Sequence, residues 1–230
     1  MKVAGFLKTS LIDYPGKISS VVFTQGCNFR CPFCHNPELI EPVGKYEIAE
    51  EEIFDHLAKR RGLIEGITIT GGEPLLQPGL EDFINKAKSL GLAIKLDTNG
   101  SNATLLKKLL EKGLLDYIAM DIKTTIAEYP KITGVSNQSA VRESVKVIMN
   151  GGVEYEFRTT VMPRFHSSDT FFKIGEDING ASKYFIQNFR PENTLDKNFL
   201  NEKSFTVEEL KKIRKIMKEY VHECEIRDNI

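Results

Sequence analysis

Gly66-Ile67-Thr68-Ile69-Thr70-Gly71-Gly72-Glu73-Pro74 passes from a short β-branched run straight into a glycine turn. Residues of the first kind favour a pleated strand, and the turn ends it. Leu80, Phe83, Ile84 and Ala87 then recur at helical spacing over Leu80–Leu90, Gly91 is placed to close that helix, and Ala93–Asp97 is a second extended run. Strand, helix and strand in this order form a unit that joins parallel neighbours through a right-handed crossover.

The alternation extends in both directions. Upstream lie a strand, Ile18–Thr24, and a helix over Ala49–Arg61 with Ile53, Phe54, Leu57 and Ala58 on one side. Downstream come a helix over Ala103–Lys112, a strand over Tyr117–Asp121, a helix over Ser139–Met149 and a strand over Glu154–Val161. A helix near Ser168–Asp177 and a strand over Lys183–Phe189 complete the series. Thr206-Val207-Glu208-Glu209 is a capping box, and Leu210, Ile213, Met217 and Tyr220 carry a last helix over about 206–221. Six units of this kind fall short of the eight that close a full barrel. The expectation is an α/β fold, an open partial (β/α)6 barrel of parallel strands with its core over about 18–190, in a single domain spanning 1–230. Ligands then belong at the carboxyl ends of the strands. The polar stretch Asn193–Lys203 reads as a mobile loop.

At 230 residues, 41% hydrophobic and net charge −1, the chain gives no bulk electrostatic case for nucleic acid or a membrane surface. No apolar run approaches the roughly 18 residues of a membrane-spanning helix. Met1–Lys8 turns polar too soon for a signal peptide, so reduced thiols and a cytoplasmic location are expected.

Cys27, Cys31 and Cys34 are grouped in Gly26-Cys27-Asn28-Phe29-Arg30-Cys31-Pro32-Phe33-Cys34, within a loop over 24–40. Soft thiolates at this spacing point to a metal site, and three of them leave one iron of a [4Fe–4S] cubane free for another ligand. Zinc, with His35 as fourth ligand, is the weaker alternative, because His35 follows Cys34 directly. Cys224 stands apart and reads as a packing thiol. Gly71-Gly72-Glu73-Pro74, Asp97-Thr98-Asn99-Gly100 and Asp121-Ile122-Lys123 each end a strand. Singly each reads as loop capping. Together with the cysteines they fall on one rim, which points to a ligand site, with the glycines admitting a ligand to the backbone and Glu73 accepting from an ammonium group.

Cys27-x3-Cys31-x2-Cys34 followed by Gly71–Pro74 resembles the radical S-adenosylmethionine superfamily. Asp13-Tyr14-Pro15-Gly16, Phe23–Cys27, Cys34-His35-Asn36-Pro37-Glu38, Asp97–Gly100 and Met120–Lys123 resemble, more narrowly, the activating enzymes of glycyl-radical enzymes. The nearest likeness is to the longer form of the anaerobic ribonucleoside-triphosphate reductase activating proteins, then to pyruvate formate-lyase activating enzymes. It covers residues 5 to about 125 well, and more loosely to about 190.

The resemblance implies a partial (β/α)6 barrel and a set of roles. Cys27, Cys31 and Cys34 would hold a [4Fe–4S] cluster whose free iron is chelated by S-adenosylmethionine. Phe33 would lie against the adenine, or simply shield the cluster. The turn of Gly71, Gly72, Glu73 and Pro74 would receive the methionine ammonium, with Asp97, Asn99 and Asp121 also at the cofactor. Lys123 would neutralise its carboxylate or contact ribose, and Arg190 would reach the adenosine end. Asp97, Thr98, Met120 (through its carbonyl) and Asp121 match positions where some pyruvate formate-lyase activating enzymes hold a monovalent cation. One electron from the cluster, supplied by a flavodoxin- or ferredoxin-like donor, would cleave the sulfonium to a 5′-deoxyadenosyl radical. That radical would take a hydrogen from a glycine of a partner glycyl-radical enzyme. No catalytic side chain is singled out. The alternatives are a small enzyme of the same superfamily acting on a free purine-like substrate, and a non-catalytic metal-binding module. Residues 35–70 leave no room for a ferredoxin-like insert, which sets aside the multi-cluster activases.

Overall fold

The structure, a computed structural model, describes residues 1–44 and 47–227. Its sheet has eight strands in chain order: β1 (Val3–Ser10), β2 (Ser19–Thr24), β3 (Gly66–Gly71), β4 (Ala93–Thr98), β5 (Tyr117–Asp121), β6 (Glu154–Val161), β7 (Lys183–Asn188) and β8 (Glu223–Arg227). β1 is antiparallel to β2 and every later pair is parallel. The sheet is open, with β1 and β8 at its edges. The helices are α1 (Glu50–Lys59), α2 (Leu80–Ser89), α3 (Ala103–Glu111), α4 (Tyr129–Thr133), α5 (Gln138–Met149), α6 (Ser168–Asp177) and α7 (Val207–Met217).

The expected six-strand partial barrel is β2 to β7, and its crossover helices lie where their apolar spacing puts them. β1, α4 and β8 were not foreseen. β1 is a half-exposed edge, β8 alternates charged and apolar residues over only five positions, and α4 is five residues opened by Pro130.

Side-chain alternation gives the sheet two different faces. Ile67, Ile69, Ile94, Leu96, Ile118 and Phe157 are fully buried with Phe83, Ile84, Leu106 and Ile148 of the helices. Burying each such side chain contributes about 1.5–3 kcal/mol. The alternate positions form a polar interior: Lys95 meets Asp97, Arg158 meets Asp97 and Asp121, and Tyr117 meets Glu156. Asp13-Tyr14-Pro15-Gly16 plugs the amino end of this interior. Tyr14 is buried, its ring 6.0 Å from that of Tyr117, and a Cβ on Gly66 would lie 3.0 Å from its ring.

The stretch Asn193–Lys203, expected to be a mobile loop, is instead docked on the cysteine loop. Asn193 Nδ2 donates to the His35 carbonyl (2.9 Å), the Asp196 N–H donates to the Pro32 carbonyl (2.9 Å), and Thr194 and Phe199 are buried. Its polar composition hid these ties. Among the described residues no helix is long and apolar enough to cross a membrane.

Candidate active site

The cysteine loop is pinned at its base. Gly26 and Cys27 donate to the carbonyls of Leu39 and Ile40 at 2.8 and 2.9 Å, so residues 26–40 close on themselves at the end of β2. The far side rests on α4: the Arg30 N–H donates to the Thr133 carbonyl (2.8 Å) and the Phe29 ring meets Tyr129 edge-on at 6.2 Å. His35 stacks on Phe189 and its Nε2 lies 2.8 Å from the Arg190 carbonyl. Cys27, Cys31 and Cys34 line one cavity, and none forms a disulfide. Burial raises all three thiols, Cys31 up to about 12, with the nearby Lys123 charge pulling the other way.

The glycine turn serves the chain before any ligand. A Cβ on Gly71 would fall 2.2 Å from the Thr24 nitrogen, and one on Gly72 would fall 2.2 Å from the Gly26 carbonyl oxygen. Gly72 N–H donates to Thr24 (2.9 Å) and Glu73 N–H to Gly26 (2.8 Å), which stitches the end of β3 to the cysteine loop. Glu73 is fully buried, and both its oxygens are taken. Oε1 accepts from the Thr98 hydroxyl (2.7 Å) and the Leu75 N–H (3.0 Å), and Oε2 accepts from the Asn99 N–H (2.7 Å). Burial pushes its carboxyl up to about 7 against those three donors. Glu73 thus also braces the β4 turn against the β3 turn while it lines the cavity.

Beyond that brace lies a charged network. Arg158 of β6 bridges two neighbouring strands, donating from Nη1 to Asp97 Oδ2 (3.0 Å) and from Nε to Asp121 Oδ1 (2.9 Å). Asp97 Oδ1 accepts from Lys95, and Asp121 Oδ2 accepts from Lys123 (2.9 Å). Arg158 and Lys123 hold the Asp121 carboxyl well below its usual range although burial alone would raise it. Lys123 is itself fixed by its backbone: its N–H donates to the Tyr129 hydroxyl (3.1 Å) and its carbonyl lies 3.0 Å from His166 Nε2. His166 Nδ1 lies 3.1 Å from the Met162 nitrogen and 3.2 Å from the Met162 carbonyl oxygen, so the ring is clamped between Met162 and Lys123.

The family model described as the radical SAM superfamily matches residues 21–170, which include the cysteine loop, the glycine turn and the charged network. The chain belongs to the radical S-adenosylmethionine superfamily. It is 31% identical over 231 residues to a protein of Methanocaldococcus jannaschii whose name, itself an inference, is glycyl-radical enzyme activating enzyme, covering 98% of this chain and 95% of that one. It is also 31% identical to the pyruvate formate-lyase-activating enzyme of Clostridium pasteurianum, over 82% of this chain and 80% of that one. Among solved structures, SuiB of Streptococcus suis bound to S-adenosylmethionine shares the fold at a TM-score of 0.68 and 13% identity, over 88% of this chain and 48% of that one. A domain of a Bacteroides vulgatus pyruvate-formate lyase-activating enzyme does so at 0.56 and 18%, over 71% and 99%.

A radical S-adenosylmethionine enzyme uses a [4Fe–4S] cluster and S-adenosylmethionine, and the donor set suits both. Three thiols converge on one cavity, and soft thiolates are the donors that hold an iron–sulfur cluster. Phe33, Gly71, Gly72, Glu73, Asp97, Thr98, Asn99, Asp121 and Lys123 line the same cavity. Pro74 and Met120 are buried behind it, and Arg190 is exposed and lines a neighbouring recess that shares His35 and Thr160. Sequence reasoning missed Arg158, Tyr129 and His166. The signal for Arg158 was Glu154-Tyr155-Glu156-Phe157-Arg158, whose charged alternation on a helix-covered strand leaves only the interior for the charges.

Proposed function

We propose that this chain activates a glycyl-radical enzyme by removing a hydrogen from a glycine Cα of that partner, with an anaerobic ribonucleoside-triphosphate reductase or a relative as the substrate protein. The observation that carries this reading is the convergence of the three thiols and three strand-end motifs on one cavity, in a chain matched almost end to end by an activating-enzyme relative. Cys27, Cys31 and Cys34 would hold the cluster, and Gly71–Pro74, Asn99 and Lys123 would receive the methionine end of S-adenosylmethionine. When bound, these groups supply a one-electron cleavage that yields methionine and a 5′-deoxyadenosyl radical. The chain's own residues orient and shield. Lys123, locked by Tyr129 and His166, fixes a positive charge beside the thiols, and Phe33, packed 5.8 Å from Phe165, walls one side. A neighbouring polar recess lined by Gln187, Asn188 and Arg190 shares His35 and Thr160 with the cavity, and room beside the site favours a peptide loop over a small closed substrate. An external one-electron donor of the flavodoxin or ferredoxin kind and a cytoplasmic setting complete the proposal.

Anaerobic mixing of the reconstituted, reduced protein with S-adenosylmethionine and a panel of glycyl-radical enzymes tests it. The expected result is a persistent glycyl radical signal by electron paramagnetic resonance in one partner. Silence across the panel, with stoichiometric consumption of a free purine-like metabolite, replaces this reading with the small-molecule one.

A further inference from the structure

We infer that this protein dispenses with the monovalent cation that some related activating enzymes place beside the cofactor carboxylate, and that the Arg158 guanidinium stands in its place. The matching positions, Asp97, Thr98, Met120 and Asp121, do not suit a metal ion here. All four carboxylate oxygens of the two aspartates are already claimed: Asp97 Oδ1 by Lys95, Asp97 Oδ2 and Asp121 Oδ1 by Arg158 at 3.0 and 2.9 Å, and Asp121 Oδ2 by Lys123 at 2.9 Å. Each oxygen keeps a second lone pair, but the guanidinium occupies the position between the two carboxylates that a bridging cation would need.

Charge balance leads to the same conclusion. Lys95, Lys123, Arg158 and Arg227 face Asp97, Asp121 and Glu156 in one connected network, and with Glu73 of the same cavity counted, four cations meet four carboxyl groups without any added ion. Arg158 and Lys123 both line the cluster cavity, where their charges face an incoming carboxylate. The side chain of Arg158 is 13% exposed, and strand register pins it, since Arg158 pairs with Asp121 across β5 and β6. Expelling a buried arginine to admit a sodium or potassium ion would leave a guanidinium without partners, which is strongly unfavourable. A lysine could not make this bridge, because a point charge lacks the planar fork that reaches two carboxylates.

The inference rests on S-adenosylmethionine binding in this cavity, and binding is therefore the readout. The affinity of the cluster-loaded protein for S-adenosylmethionine, measured by calorimetry in tetramethylammonium, sodium and potassium buffers at equal ionic strength, should change by less than about twofold for the native chain. Arg158→Ala should bind at least about tenfold more weakly in tetramethylammonium and recover in potassium or sodium, as a small ion enters the vacated space. A native affinity that rises tenfold with potassium overturns the inference, as does an Arg158→Ala affinity equal to the native one in every buffer. The native arm needs no variant, so a poorly folding Arg158→Ala leaves the test intact. Absence of binding in all buffers would instead remove the cofactor assignment on which the inference stands.

Discussion

Gly72 sits where one added methyl group would meet the Gly26 carbonyl oxygen at 2.2 Å, a contact with backbone on both sides and no flexible end to yield. The glycine turn is therefore demanded by packing of the chain on itself, and it lines the cavity as a consequence. Glu73 likewise serves the chain itself, its carboxylate accepting from Thr98, Leu75 and Asn99. Glu73→Gln turns an amide donor toward a backbone N–H or the Thr98 hydroxyl and strands a buried donor. A loss of about 1–3 kcal/mol is expected in urea unfolding of the cluster-free protein. Unchanged stability would mean that the brace is not formed. The motif was legible as a ligand rim, but its division of labour was not, because burial and hydrogen-bond partners decide it and spacing does not record them.

At the scale of elements, two unforeseen pieces hold the rim. α4 supplies the Thr133 carbonyl to the cysteine loop and the Tyr129 hydroxyl to Lys123, and the turn after β6 supplies His166. Five residues opened by proline carry too little periodicity to announce a helix, and a lone histidine announces nothing until the fold brings Lys123 to it. His166 is buried neutral, and burial lowers its pKa below the ordinary 6.5. The unfolded chain thus takes up a proton at His166 that the native chain resists, so stability is present above about 6.5 and is lost as pH falls below it. Urea midpoints measured against pH should decline below that value in the native chain. The part of the decline owed to this ring should vanish in His166→Gln, whose amide can still accept from Met162 and donate to Lys123. Equal slopes in the two proteins would contradict a buried, neutral imidazole at this position.

For the whole molecule, the six central strands, their crossovers and the single rim followed from helix and strand periods that repeat in fixed order. The edge strands did not, because β1 is half exposed and β8 is short and charged, so neither carries a clear period. The polar interior was equally hidden: a strand such as β6, with Glu156 and Arg158 between Tyr155, Phe157 and Thr159, reads as half solvated until helices are known to cover its apolar face. That interior fixes a positive charge in the cavity of the three thiols, and a polar recess beside it shares His35 and Thr160, the arrangement on which the proposed chemistry at a partner's glycine rests. Mass spectrometry of 5′-deoxyadenosine formed with a partner whose glycines carry deuterium at Cα tests this most directly. The account predicts one deuterium transferred into 5′-deoxyadenosine together with loss of label at one partner glycine, whereas unlabelled 5′-deoxyadenosine formed at an undiminished rate would contradict it.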